Sequence, residues 1–115
     1  MNDTFYLPED PEEAVRDLRE ASRETPVLLF KRSPVCGVSR NVESELGRWL
    51  EKRGGAGGLR VVRLNVLSRK DLARGITDLL GIAHASPQMV IFKNGEVCWH
   101  GSHYALSEAT LDDYL

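Results

Sequence analysis

One cysteine in this chain of 115 residues is placed where its sulfur could react. Cys36 follows an apolar run, residues 27–30, and a short turn, and a helical pattern begins at Val38. Backbone N–H groups without intrahelical partners and the positive end of the helix dipole meet at such a position. Both stabilise a thiolate relative to a thiol. The sequence therefore predicts that Cys36 is a nucleophile.

The residues around Cys36 indicate what such a thiolate would do. Lys31, Arg32 and Arg40 are close in sequence and would add positive potential, which lowers the pKa of a thiol. Ser39 stands three residues later, where a dithiol enzyme has its second cysteine. A hydroxyl cannot form a disulfide, but it can donate a hydrogen bond to the thiolate. The predicted chemistry is monothiol exchange, in which Cys36 attacks a mixed disulfide and an external thiol releases it.

An alternative interpretation gives these residues only structural roles. Cys36 would be a small apolar residue at the end of a strand, since buried unreactive cysteine is common. Ser39 would then be an ordinary residue of the first helical turn. The two interpretations differ in what must surround Cys36, so the elements that position it decide between them.

Apolar periodicity and turn residues predict eight elements along the chain, of which two are the strands of one hairpin. The predicted elements are, in order, a helix over 10–24 begun by Asp10-Pro11 with Glu13, a strand over 27–30, a helix from Val38 to the glycines at 54–58, a strand over 59–66, a helix that Ser68 caps and Gly81 ends, a two-stranded hairpin over 88–101 that turns at Asn94-Gly95, and a helix capped by Ser107 with Leu106 and Leu111 as its staple.

The order α-βαβαββα predicts an α/β fold of thioredoxin-like, glutaredoxin-size type. Two βαβ-type connections imply parallel, right-handed pairing, and the hairpin adds an antiparallel edge. The result is a four-stranded mixed sheet flanked by helices. We expect a single domain over residues 1–115, with an N-terminal extension of one helix (1–26) and a βαβαββα core (27–115).

Ser86-Pro87, just before the third strand, strengthens the reactive interpretation of Cys36. In thioredoxin-like folds a cis-proline at this point faces the active cysteine and holds the preceding backbone ready to pair with an extended substrate. A plain strand-starting proline is the alternative. The coincidence of Cys36, Ser39, Pro87 and the element order favours the first interpretation.

With these residues in place, the sequence resembles the monothiol bacilliredoxins, a thioredoxin-like family. The likeness spans roughly residues 10–115 and is carried by "FKRSPVCGVS" and "SPQMVIFKNGEVCWHGSH". The residues that match the family pattern are Lys31, Ser33, Cys36, Ser39, Ser86, Pro87, Gln88, Lys93, Asn94, Gly95, Trp99, His100, Ser102 and His103.

The resemblance implies an oxidoreductase that removes bacillithiol, or a similar low-molecular-weight thiol, from mixed disulfides on client proteins. Cys36 would be the catalytic nucleophile with Ser39 as its partner, and Lys31 and Arg40 would tune it. Bacillithiol would be a co-substrate, with no tightly bound cofactor and no metal. The partners would be S-thiolated client proteins and a low-molecular-weight thiol. The oligomeric state stays open, and a monomer is favoured. The predicted substrate-binding residues are Pro34, Val35, Gly37, Ser86 and Pro87.

One departure from the family pattern keeps alternatives open. Gly37 replaces the proline expected after the cysteine, and Cys-Gly-Val-Ser comes close to the Cys-Gly-Phe-Ser of monothiol glutaredoxins. Those proteins hold iron–sulfur clusters together with glutathione. The segments that bind glutathione in that family are missing here, so this interpretation ranks second. A redox-inert thioredoxin-like adaptor and a dithiol enzyme that uses Cys98 are the remaining alternatives.

The other candidate residues are expected to be structural. Cys98 is predicted to pack as a small apolar residue. Strand alternation would put it on one face with His100, and Val97 with Trp99 on the other. His100 and His103 are expected on the surface away from Cys36, and His84 near the Ser86-Pro87 loop. Trp99 should pack on the first or the last helix.

Composition excludes several classes of protein. The formal net charge is -2 and the basic residues are scattered, which argues against nucleic acid and anionic membranes as partners. The start "MNDTFYLPEDPEE" lacks the pattern of a signal peptide, and no apolar run reaches the roughly 20 residues of a membrane span. We therefore expect a cytoplasmic protein, in which a disulfide between the two cysteines is disfavoured.

Overall fold

The computed structural model describes residues 6–115, so the first five residues of the predicted 1–26 extension lie outside the described part. The described elements form an α/β fold with one sheet between helices, as predicted. The elements are α1 (Pro11–Ala21), β1 (Val27–Arg32), α2 (Gly37–Lys52), β2 (Arg60–Asn65), α3 (Lys70–Leu80), β3 (Gln88–Lys93), β4 (Glu96–Ser102), a 3₁₀ turn (His103–Ala105) and α4 (Glu108–Tyr114).

The four strands lie in the order β2-β1-β3-β4. β1 pairs with β2 in parallel, whereas β3 runs antiparallel to both β1 and β4. The prediction of a second parallel connection was therefore wrong. Residues 82–87 follow α3 and can span about 20 Å when extended, which returns the chain to the edge where β1 ends. β3 consequently starts with Gln88 beside Lys31 at that edge.

Helices cover both faces of the sheet. On one face α1 and α3 pack on alternate residues of β1, including Val27 and Leu29. On the other face α2 and α4 pack on Leu28 and Phe30. Because both faces are covered, β1 is buried almost along its whole length, as its unbroken apolar run predicts.

Most predicted helix ends are confirmed, and one is wrong. The Asp10 side chain accepts the Glu13 N–H at the start of α1, and Gly81 ends α3 with a left-handed φ of 71°. Ser107 likewise caps α4. Ser68 does not cap α3, which begins at Lys70 without a side-chain cap. The turn before it is instead held by Asn65, whose Oδ1 accepts two backbone N–H groups.

The hairpin turns at Asn94 and Gly95, which both have positive φ, as the sequence predicts. A register shift follows, because Ile91 pairs with Trp99 whereas Phe92 pairs with Val97. The shift breaks strict alternation, so Val97 packs on the α1/α3 face and Trp99 on the opposite face. The prediction that these two share a face was wrong. Trp99 stacks on Tyr114 of the last helix, one of the two helices expected for it.

No helix within residues 6–115 has both the length and the apolar character that crossing a membrane requires.

Candidate active site

Cys36 is the N-cap residue of α2, at the edge of the sheet where β1 ends. A tight turn precedes it, in which the Cys36 N–H donates to Ser33 O at 3.4 Å. Pro34 and Val35 form the exposed top of this turn, and the Val35 side chain is 74% exposed. Gly37 begins the helix, and a Cβ added there would meet no atom within 4 Å. The thiol is half-buried and therefore remains accessible to a substrate.

The pKa of the Cys36 thiol is lowered from its ordinary value. The main cause is the backbone N–H of Ser39, which donates to the sulfur. Partial burial opposes this effect, while the Val38 N–H, the Ser39 hydroxyl and the Arg40 charge add to it. These groups all lie in the first turn of α2, so the helix start stabilises the thiolate as the sequence predicts.

Ser39 is buried and serves both the turn and the thiolate. Its Oγ accepts the Ser33 N–H at 3.2 Å, which leaves the hydroxyl proton free to be donated. The hydroxyl lowers the pKa of Cys36, so it faces the sulfur. A hydroxyl in this place supports a thiolate but offers no second sulfur.

Of the three basic residues expected to tune Cys36, only Arg40 does so. Arg32 is engaged by Glu43, with Nε 2.6 Å from Oε1. Lys31 is fully buried, and its ammonium contacts Thr77 of α3. Strand alternation turns Lys31 to the α1/α3 face, whereas Cys36 belongs to the α2 side. The expectation that Lys31 tunes Cys36 directly is therefore corrected.

The Ser86-Pro87 loop lies at the same edge of the sheet as Cys36. Its peptide bond is cis, and the strand that follows begins beside Lys31 near the end of β1. The Pro87 carbonyl accepts the His103 N–H at 3.2 Å. The Ser86 hydroxyl is buried and has no partner among the described residues. Since buried hydroxyls usually have partners, this unpartnered one is an exception in the loop.

A groove runs between the first turns of α2 and the segment that follows β4. Its volume is about 350 Å³. His103 lines this groove, so the expectation that it lies away from the start of α2 was wrong. Tyr104 beside it is 95% exposed. The groove is lined by Val38, Asn41, Val42, Glu45, His103, Tyr104, Leu106 and Ser107.

Sequence reasoning missed this groove because no periodic pattern marks its wall. Residues 103–105 form a single 3₁₀ turn, entered through a His103 φ of 51°. The available signal was topological. The second hairpin strand must end at Ser102, which pairs with Gln88 beside the proline loop.

The second cysteine lies far from the first. Cys98 is exposed rather than packed, which corrects the prediction. It lies on the outer strand β4, and the register shift leaves it without a paired residue on β3. It stands four residues before Ser102, which marks the Cys36 edge of the sheet, a distance of about 13 Å along the strand. A disulfide needs Cα atoms within about 7 Å, so this geometry does not support a Cys36–Cys98 dithiol.

The histidines complete the survey of candidate residues. His100 is exposed, as expected. His84 lies three residues before Pro87, and its Nδ1 is 2.7 Å from Lys31 Nζ. Within residues 6–115 no group of three His, Cys, Asp or Glu side chains could hold a metal ion. The arrangement can therefore offer one stabilised thiolate, a nearby backbone edge at Ser86 and an adjoining groove.

Comparison with known proteins agrees with this geometry. The family model of the monothiol bacilliredoxin BrxC matches residues 10–111. A thioredoxin-fold protein described provisionally as an oxidoreductase superposes with a TM-score of 0.71 at 27% identity, over 84% of this chain and 85% of that one. Trxlp from Edwardsiella tarda EIB202 gives 0.61 at 20% identity, over 82% and 84%. Thioredoxin from Fasciola hepatica gives 0.63 at 15% identity, over 87% and 86%.

Proposed function

This chain belongs to the monothiol bacilliredoxin family, and from that membership we propose that it removes bacillithiol from mixed disulfides on client proteins. The coarser role, thiol redox chemistry on a thioredoxin fold, follows from the family and from the fold. The substrate, the co-substrate and the clients are the proposed part. No tightly bound cofactor is needed, because bacillithiol itself is consumed as a reactant.

The proposed reaction has two exchange steps. The Cys36 thiolate attacks the bacillithiol sulfur of the mixed disulfide, an S–S bond forms between them, and the client sulfur leaves as a thiolate that takes up a proton. A second bacillithiol thiolate then attacks the bacillithiol sulfur on Cys36, which releases bacillithiol disulfide and restores the Cys36 thiolate. In the net reaction the client sulfur is reduced and one free bacillithiol is oxidised, and it leaves joined to the bacillithiol taken from the client as one disulfide.

The observation that carries this proposal is the single stabilised thiolate at the start of α2. The helix-start donors and Arg40 favour the charged form of Cys36, which is the attacking form. Ser39 supports the thiolate without competing for the disulfide, and Cys98 lies out of reach. Release by an external thiol is then the simplest way to complete the cycle.

We further propose where the two halves of the substrate lie. The client backbone would pair with the Ser86 edge, and the exposed turn at Pro34 and Val35 would flank it. The sugar portion of bacillithiol would enter the groove beside Tyr104. An exposed aromatic ring with nearby polar side chains, Asn41 and Glu45 among them, suits a hydroxyl-rich ligand.

The direct test is a de-thiolation assay with a peptide that carries bacillithiol on its single cysteine. Wild-type protein with added bacillithiol should release the free peptide over many turnovers. Cys36→Ser should abolish release, whereas Cys98→Ser should retain it. Release that survives in Cys36→Ser, or is lost in Cys98→Ser, would contradict the proposal.

A further inference from the structure

A buried lysine is engaged with the loop that carries Pro87. Lys31 is 0% exposed and follows four buried apolar residues of β1. Its ammonium lies 2.9 Å from Gln88 Oε1, 2.7 Å from His84 Nδ1 and 3.4 Å from Thr77 Oγ1. Burying an ammonium is costly unless it is hydrogen-bonded, and these three partners meet that condition. Packing alone does not explain a buried charge at this position, where an apolar side chain would cost less.

The charge state of the cluster follows from its contacts. Burial first, and then the Arg74 charge, lower the pKa of Lys31 to about 8, while Asp78 opposes them. Burial and the Lys31 charge also lower the pKa of His84. A 2.7 Å contact between two nitrogens holds one proton between them, so at neutral pH the Lys31 ammonium donates to a neutral His84. The Lys31 ammonium then donates to Thr77 of α3, to Gln88 of β3 and to His84 of the loop between these elements.

Gln88 passes this contact on to the loop backbone. Its Oε1 accepts the Ala85 N–H at 3.3 Å, and its Nε2 donates to Ala83 O at 2.8 Å. The Lys31 bond to Oε1 fixes which end of the amide faces which backbone group. Lys31 therefore holds residues 83–85 twice, through Gln88 and through His84. These residues lead directly into the cis Ser86-Pro87 peptide.

We propose that Lys31 is a positioning residue, which sets the Ser86 backbone edge for pairing with an extended client through its bonds to Gln88 and His84. The inference rests on the proposed function, in which that edge receives the client. It gives Lys31 a role separate from the reactivity of Cys36. The role predicts a defect with peptide disulfides that small disulfides do not share.

The test compares two substrates in Lys31→Met, which keeps the buried chain length without the charge. One substrate is a bacillithiolated peptide of about ten residues, and the other is 5,5′-dithiobis(2-nitrobenzoate), which has no backbone to pair. We expect the nitrobenzoate rate to stay within about twofold and kcat/KM for the peptide to fall about tenfold, because misplaced binding groups lower the rate steeply. Thr77→Val is the matched control, because it removes a side-chain contact with the same ammonium but keeps the backbone bond in which Thr77 O accepts the Ile82 N–H. The ratio of its peptide rate to its nitrobenzoate rate should stay at the wild-type value.

Two further measurements keep the inference decidable. Amide hydrogen exchange at residues 83–86 should be faster in Lys31→Met than in wild type and unchanged in Thr77→Val. This readout needs no activity, so it separates failure of the inference from failure of the proposed function. If Lys31→Met does not fold, the same measurements are made on His84→Ala, whose side chain is half-buried. We expect its ratio of peptide rate to nitrobenzoate rate to fall about threefold, because only one of the two contacts with the loop is lost.

An equal loss with both substrates in Lys31→Met would overturn the inference, since it would mean general damage to the site. An unchanged peptide rate with unchanged loop exchange would overturn it as well. If wild-type protein does not de-thiolate the peptide at all, the proposed function fails. In that case slower or unchanged amide exchange at residues 83–86 of Lys31→Met would still overturn the loop contact itself.

Discussion

At the scale of single residues, the reactivity of Cys36 is a local property. Each group that lowers its pKa lies within four residues, at Val38, Ser39 and Arg40. Local groups can be predicted from spacing alone, which is why the sequence points to the thiolate and to Ser39. Lys31 is five residues away but belongs to a strand, and the strand turns it to the opposite face of the sheet. Sequence proximity therefore pointed to Cys36 as the partner of Lys31, whereas its ammonium contacts His84 and Gln88.

The Ser39 hydroxyl gives the first prediction. Ser39→Ala should raise the pKa of Cys36, because one donor to the thiolate is lost. At pH 7 we expect alkylation by iodoacetamide to slow roughly threefold, and above pH 9.5 the two rates should converge, since both thiols are then ionised. The measurement is the alkylation rate against pH. Equal midpoints in the two proteins would show that the hydroxyl does not stabilise the thiolate.

Tyr104 gives a second prediction at this scale. If the groove holds the sugar of bacillithiol, Tyr104→Ala should raise KM for a bacillithiolated peptide about five- to tenfold, as expected when an aromatic contact is removed. Tyr104→Phe keeps the ring and should behave as wild type. Steady-state kinetics on the three proteins measure this. A KM that stays the same in Tyr104→Ala would place the sugar elsewhere.

At the scale of elements, the sequence predicts each helix and strand but not the direction of every strand. The apolar runs of β1 and β3 and the Asn94-Gly95 turn are strong local signals. The reversal of β3 depends on the path of residues 82–87, which no periodic pattern describes. The same limit applies to the register shift at Cys98, because bulges depend on pairing across strands rather than on one strand alone.

Two glycines give a matched pair of predictions for helix packing. A Cβ at Gly75 of α3 would lie 2.5 Å from Pro11 Cγ, so Gly75→Ala must push α1 away. We expect the free energy of unfolding to fall by about 1–2 kcal/mol, the usual cost of overpacking less the gain in helix propensity. Gly47 of α2 meets no atom within 4 Å, so Gly47→Ala should raise that free energy by about 0.5–1 kcal/mol.

Urea denaturation of both variants and the wild type measures the free energy of unfolding, which should fall in Gly75→Ala and rise in Gly47→Ala. Stabilisation by Gly75→Ala would contradict the close approach of α1 to α3. It would mean that Pro11 of α1 does not lie against Gly75 of α3.

At the scale of the whole molecule, the fold separates the two cysteines. Cys36 lies beyond the C-terminal end of the inner strand β1, and Cys98 lies in the middle of the outer strand β4. An internal disulfide would lower the mass of the monomer by two hydrogens. We expect that mild oxidation of the protein alone does not cause this loss. Intact mass spectrometry after treatment with diamide checks this. An internal disulfide would require a conformation very different from the one described, and would return Cys98 to the mechanism.

The whole fold also explains which parts of the site could be predicted. Cys36, Ser39 and the Ser86-Pro87 loop follow from motifs joined by topology. The groove beside Tyr104 and the Lys31 contacts with His84 and Gln88 join segments more than 50 residues apart in sequence, which the sheet order brings together. Their placement depends on the antiparallel β3, the feature that the sequence pattern did not give.

The most direct test of the central claim is the intact mass of the reduced protein after exposure, in parallel, to bacillithiol disulfide and to glutathione disulfide. We predict one bacillithiol adduct per chain, located on Cys36 and absent from Cys36→Ser, with little glutathione adduct. Preference for glutathione, an adduct confined to Cys98, or no reaction at Cys36 would contradict the account.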